Sequence, residues 1–249
     1  MSLAHPLRRA PAEPFTARLE RFRWRHPEWW TIAISALAWA PIVIGTGAGH
    51  ATPDAAALHH GAHAAVAPPS WPLASGAWLV MLAAMMLPLL VDAVRTAAAR
   101  SLWPRRDRAI ALFLAGYVAP WMLTGVGVLA VARAIAPLSP RWAAAAFAAA
   151  AVWQLTPIKK RALLSCHRTM PLAPRGWRAD RDCLRYGWTV GRHCVMSCGI
   201  MMAACVLASH AFVAMAGVTA IAAIERRMPR LRPRVTASAL AALGAFLLL

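Results

Sequence analysis

The sequence predicts an all-α fold: a polytopic transmembrane helical bundle of about seven spans with its N-terminus on the cytoplasmic side. Three observations predict it. Of the 249 residues, 60% are hydrophobic and only 14% are charged, a balance foreign to soluble domains and ordinary for helices solvated by lipid. The apolar residues gather into seven runs separated by short polar connections. Finally, 24 of the 27 Lys and Arg residues fall in four patches that a seven-span, N-in arrangement puts on one side, as the positive-inside rule requires. The formal net charge of +18 is therefore read as a topology signal, and nucleic-acid binding is set aside.

Taken in order, residues 1–28 form a basic cytoplasmic tail without a cleavable signal peptide. The tail ends in an interfacial helix whose Trp24, Trp29 and Trp30 mark the membrane boundary. The membrane domain, 29–249, begins with a helix at about 29–47. An extracytoplasmic loop, 48–70, has no Lys or Arg but holds His50, Asp54, His59, His60 and His63. Further helices are predicted at about 71–92, 109–132, 142–158, 186–206, 210–224 and 235–249. The last two are short for a hydrocarbon layer of about 30 Å. Basic loops at 95–108, 159–185 and 225–234 face the cytoplasm under this topology.

The candidate chemistry is soft. Residues 194–205 carry three Cys and three Met. With 3.6 residues per turn, Cys194, Cys198, Met201 and Cys205 form a stripe on one helix face. Thiolates and thioethers select soft ions, above all Cu(I), with other soft metals possible. Sulfur at these positions also packs helix interfaces without binding anything. His193 borders the stripe at its basic end. Met81 and Met85 share a face of the second membrane helix and join the site if that helix packs against the cysteine helix. His59 and His63 in the outer loop suit a metal-capture role, and Cys166 in the inner basic loop a hand-over role. Cys166 and Cys183 are expected in solvent-facing loop. The residues form no nucleophile–base pair, phosphate-cradling glycine loop or intramembrane carboxylate pair, so no enzyme activity is expected.

Six short elements in a fixed order resemble a bacterial family of polytopic proteins described as predicted metal-binding integral membrane proteins. They are Ala84-Met85-Met86-Leu87-Pro88, Ala115-Gly116-Tyr117 through Trp121, Gln154 through Lys159, Cys166-His167-Arg168, the glycine-led cysteine helix Gly191 through Met202, and Glu225-Arg226. The similarity covers about residues 71–228. Departures fall within the cysteine elements: Met196 stands where the family pattern has Gly, Ser197 replaces a middle Cys, Gly199 replaces Trp, and Ala162 replaces the first Cys of the loop element. The resemblance implies a multi-pass protein of the bacterial inner membrane with a link to copper handling.

Together these readings lead to the expectation of a copper-chaperone-like membrane protein, in contact with the lipid bilayer, a metal ion and a copper-handling partner protein. Two alternatives remain: a small-solute transporter or assembly scaffold in which the cysteines only pack, and a membrane thiol redox protein. Disulfide geometry is met poorly by cysteines one helical turn apart.

Overall fold

The structure, a computed structural model, describes residues 14–48, 70–166, 168–228 and 232–248. The outer-loop residues His50, Asp54, His59, His60 and His63 lie outside the described residues, as does His167. Among the described residues every regular element is helical, and the helices form an α-helical bundle.

Helix α1 (Phe15–Arg25) meets α2 (Trp29–Ala48) at 88°. Pro27 accounts for the break, because a proline disfavours helical backbone in the residue before it. Glu28, buried at this corner, accepts a hydrogen bond from Arg95 (2.6 Å). Burial raises the carboxyl's pKa, but the bonds from Arg95 and His26 outweigh it and hold Glu28 below its ordinary value. The N-terminal corner is thereby tied to the next helical hairpin.

Helix α3 (Trp71–Met86) passes through a 3₁₀ turn, Leu87–Leu90, into α4 (Val91–Ala99). Pro88 lies in that turn, where its missing N–H interrupts the α ladder and leaves carbonyls free to accept other donors. Ser35 Oγ and Trp39 Nε1 both donate to the Ala84 carbonyl, at 2.8 and 2.9 Å, which fastens α2 to α3.

The centre of the bundle is the pairing of α5 (Arg106–Ala134) with α8 (Gly176–Leu207). Their backbones touch at Gly187 and Gly191, one turn apart. A Cβ at Gly187 would collide with the Phe113 carbonyl, and one at Gly191 would stand 2.6 Å from the Tyr117 carbonyl. Small residues four apart permit this approach, the same device that joins helices in lipid. It brings the Tyr117 side of α5 against the cysteine face of α8.

Around this pair pack α6 (Pro140–Gln154), α7 (Pro157–Ser165) and α9 (Phe212–Arg227), while α10 (Pro233–Phe246) packs on α6 and α9. Thr156 caps α7 by accepting the Lys159 N–H. Ser209 and His210 take left-handed backbone angles in the turn between α8 and α9.

Three helical segments are long and apolar enough to cross a membrane: Trp71–Ala99, Trp103–Ala134 and Gly176–Leu207. The bent α1/α2 pair is a fourth if counted as one span. Helices α6, α9 and α10, with 15, 16 and 14 residues, are about 21–24 Å long at 1.5 Å per residue.

Several boundaries differ from the sequence-based expectation, for one physical reason. α8 begins at Gly176 rather than near 186, because Ala179, Cys183 and Tyr186 recur at helical spacing and bury one face while the charged residues take the other. Hydropathy marks where lipid begins, not where a helix does. Likewise the segment 157–165 is a separate helix and not the start of a loop. Cys166 and Cys183, expected to face solvent, are both buried.

Candidate metal centre

Cys194 and Cys198 lie one turn apart on α8, 0% and 5% exposed, with free thiols. The pair lies just beyond Gly191 on the same helix, and α5 supplies its first neighbour: the Tyr117 hydroxyl donates to Cys194 Sγ at 3.2 Å. Helix α9 supplies the second. Arg226 Nη2 approaches Cys194 Sγ at 3.8 Å, while Nη1 donates to the Leu89 carbonyl in the 3₁₀ turn. The turn forced by Pro88 thus anchors the guanidinium that faces the sulfur.

Ser197 Oγ donates to the Cys194 carbonyl (3.0 Å) and lies 3.4 Å from Cys198 Sγ. Cys166, at the end of α7, comes within interaction range of Cys198, Ser197 and Arg226. Burial pushes its thiol up to about 11, with Arg226 pulling the other way. Lys159 lies on the Cys198 side and forms a buried ion pair with Glu225 at 2.8 Å. A buried pair of this kind survives only when both charges are present, since either alone is strongly destabilising. It locks α7 to α9 across the cysteine helix.

Met201, one turn beyond Cys198, is buried, and its Sδ accepts a hydrogen bond from Gln154 Nε2 at 3.5 Å. Cys205 is buried too, but seven residues past Cys198 place it about 10 Å further along the axis. One ion cannot bridge that interval, so the predicted stripe divides into a Cys194/Cys198/Met201 group and a remote thiol. His193 is turned away, its Nδ1–H donating to the Thr189 carbonyl (2.8 Å). Met81 and Met85 are buried in the common core. Their helix packs on α2, α5 and α9, and the cysteine helix is not among its main neighbours.

Among the described residues no three His, Cys, Asp or Glu side chains converge as a ready-made metal cage. What converges is two thiols, a third thiol nearby and a thioether, with Arg226 and Lys159 flanking them. Two-thiolate ligation is chemistry for a soft monovalent ion; a hard or octahedral ion would find too few donors. Sequence reasoning placed Tyr117, Gln154, Lys159, Glu225 and Arg226 in the recurring motif elements without giving them site roles. Their signal was the membership itself: elements far apart in sequence meet around the same two sulfurs.

The PpoB2 family, described as a copper chaperone, matches residues 75–248. No curated protein and no solved structure matches the chain. The matched region holds every motif above and leaves out the basic tail and the His-rich segment. The chain belongs to this copper-chaperone family, and its role is copper-related.

Proposed function

We propose that this member of the copper-chaperone family is a multi-pass protein of the bacterial inner membrane that receives Cu(I) on Cys194 and Cys198 and passes it to a partner. The observation that carries the reading is the buried pair of adjacent thiols with a guanidinium 3.8 Å from one of them. Copper is cargo here. On loading, each thiol gives up a proton and its sulfur takes the ion. Two thiolates and one Cu(I) carry a net charge of −1, which is costly to bury alone. Arg226 supplies the compensating charge, and the Tyr117 hydroxyl stabilises the same sulfur by hydrogen bonding. Met201 offers a neutral third donor once it exchanges its bond from Gln154. Because the site binds in two or three positions and leaves the others open, release to another thiol needs no unfolding.

The membrane reading rests on composition, the three or four span-length segments and the four basic patches. Seven spans with a cytoplasmic N-terminus put all four patches inside. They require α6, α9 and α10 to cross by combining with flanking residues or local thinning of the bilayer.

The test is the copper content of detergent-purified protein, loaded anaerobically, for wild type and for the Cys194→Ser, Cys198→Ser variant. Near one copper per chain that vanishes in a folded variant is the expected result. Equal copper in both would move the site elsewhere, and copper in neither would end the reading.

A further inference from the structure

Two cavities flank the thiol cluster. One, of about 750 Å³, is lined by Gln154, Lys159, Lys160 and Glu225, and it ends at the closed Lys159–Glu225 pair. The other, of about 830 Å³, is lined by Cys166, Arg226, Arg227, Arg95, Asp92 and Thr169, among others. It differs in ending at sulfur. Cys166 and Arg226 belong both to its wall and to the surroundings of Cys194 and Cys198.

We infer that the cavity beside Cys166 is the port at which an anionic low-molecular-weight thiol exchanges Cu(I) with the buried pair. The inference rests on the proposed function and adds the identity of the exchanging ligand. Size is the first argument. Small-molecule pockets run from about 300 to 1,000 Å³, so this cavity admits a molecule of tripeptide size and excludes a folded donor domain. Charge is the second. The lining carries Arg95, Arg226 and Arg227 against Asp92 alone, and of these Arg227 makes no ion pair among the described residues. A carboxylate-bearing thiol is the ligand that suits both the arginines and the ion. Position is the third: Cys166 lines the cavity and also neighbours Cys198, so it is the cavity thiol that an incoming sulfur–copper unit meets.

The step balances without an oxidant. Copper enters held by two small-molecule thiolates; Cys194 and Cys198 thiols form the new Cu–S bonds as the two old ones break. Their protons leave on the departing thiols. Copper stays Cu(I), and the bound unit keeps its single negative charge.

The experiment uses full-length protein in detergent under anaerobic conditions and two copper sources, the reduced-glutathione complex of Cu(I) and its acetonitrile complex. The readout is the initial rate of copper arrival, measured by rapid desalting and mass spectrometry. Arg227→Glu is expected to slow arrival from the glutathione complex about tenfold, as reversal of a steering charge does, and to leave arrival from acetonitrile within about twofold. S-methylglutathione, which keeps the charges and lacks the thiol, is expected to compete with the first source only. Equal slowing of both sources, slowing of neither, or failure of S-methylglutathione to compete overturns the port. A wild type that takes copper from neither source overturns the proposed function itself, and the port with it.

Discussion

Two helices of this bundle are rich in soft sulfur, and they are built differently. On α3, Met81, Met85 and Met86 are buried among apolar neighbours, and the polar contacts of that helix are made at the Ala84 carbonyl and by the Trp78 indole, which donates to the Trp121 carbonyl. On α8, the sulfurs themselves have partners: Tyr117 and Arg226 at Cys194, Ser197 at Cys198, Gln154 at Met201. Tyr117, Arg226 and Gln154 come from other parts of the chain, and Ser197 is the residue next to Cys198. Thioethers that only fill space need no such company, because methionine packs well by itself. Polar groups gathered around a buried thiol pair cost desolvation, and a fold keeps them where the sulfur must change charge. The number of soft residues therefore says less about metal binding than what surrounds each one.

The sharpest way to break the α8 side is to pry it from α5. Gly187→Leu drives a side chain into the Phe113 backbone, which cannot yield as a flexible side chain would. A loss of at least about 3 kcal/mol is expected, read as a collapse of the thermal midpoint in detergent. An unchanged midpoint would mean that the close approach of these helices is not what holds the site.

The ion pair is expected to have an effect of the same order. Lys159→Ala leaves Glu225 buried without its partner and is expected to cost about 3–5 kcal/mol. Replacing both residues by Met should recover much of that loss, since the penalty lies in the orphaned charge. If the double variant is as unstable as the single one, the pair holds α7 and α9 through something other than charge compensation.

Arg226→Gln tests the copper side directly. Hydrogen bonds to charged groups contribute about 1.5–3 kcal/mol, so the Kd for Cu(I) should rise by roughly tenfold to a hundredfold, with Arg226→Lys restoring part of it. Competition with a Cu(I) chelator measures both. An affinity untouched by Arg226→Gln would remove the guanidinium from the charge balance of the site.

These variants also mark how far the sequence was readable. The pairing of Cys194 with Cys198 followed from spacing on a helix, and the copper-related family followed from ordered motifs. The site roles of Lys159, Arg226 and Cys166 were not legible, for a common reason. A charge beside an apolar run counts as a topology signal unless its partner is known, and Glu225 lies far along the chain from Lys159. Cys166 was assigned to solvent because its neighbours in sequence are basic, yet its neighbours in space are Ser197, Cys198 and Arg226. Burial of a short polar segment depends on what packs over it, and periodicity carries no trace of that. The separation of Cys205 from the pair was legible in principle, since axial rise is as fixed as angular spacing.

Away from both sulfur regions, the N-terminal corner gives a smaller, pH-dependent effect. Glu28 has its carboxyl held below the ordinary 4.5 by Arg95 and His26 despite burial. Its contribution is therefore present above its unfolded value and is lost as pH falls through the folded one. Because Arg95 is half exposed, about 1 kcal/mol is the ceiling. The thermal midpoint should fall on acidification below about pH 4.5, and Glu28→Gln should flatten that limb. An acid limb identical in the variant would assign it to other carboxylates.

The smallest effect is expected on α3, and it decides whether the contrast between the two helices is real. Met81→Leu with Met85→Leu conserves volume and apolar character, and swaps of this kind usually cost less than about 1.5 kcal/mol. The thioethers vanish, so any copper bond to them vanishes as well. If the α8 group is sufficient, copper per chain is unchanged and the Kd moves by less than about threefold, within 0.7 kcal/mol or so. If instead copper falls in step with the loss of both methionines while the protein stays folded, then α3 contributes ligands that its packing partners do not reveal. The site would in that case span two helices that meet only marginally at the backbone, and bridging them by metal would draw α3 toward α8. A change in copper-induced protection of α3 amides, present in wild type and absent in the double variant, would then report the same event independently.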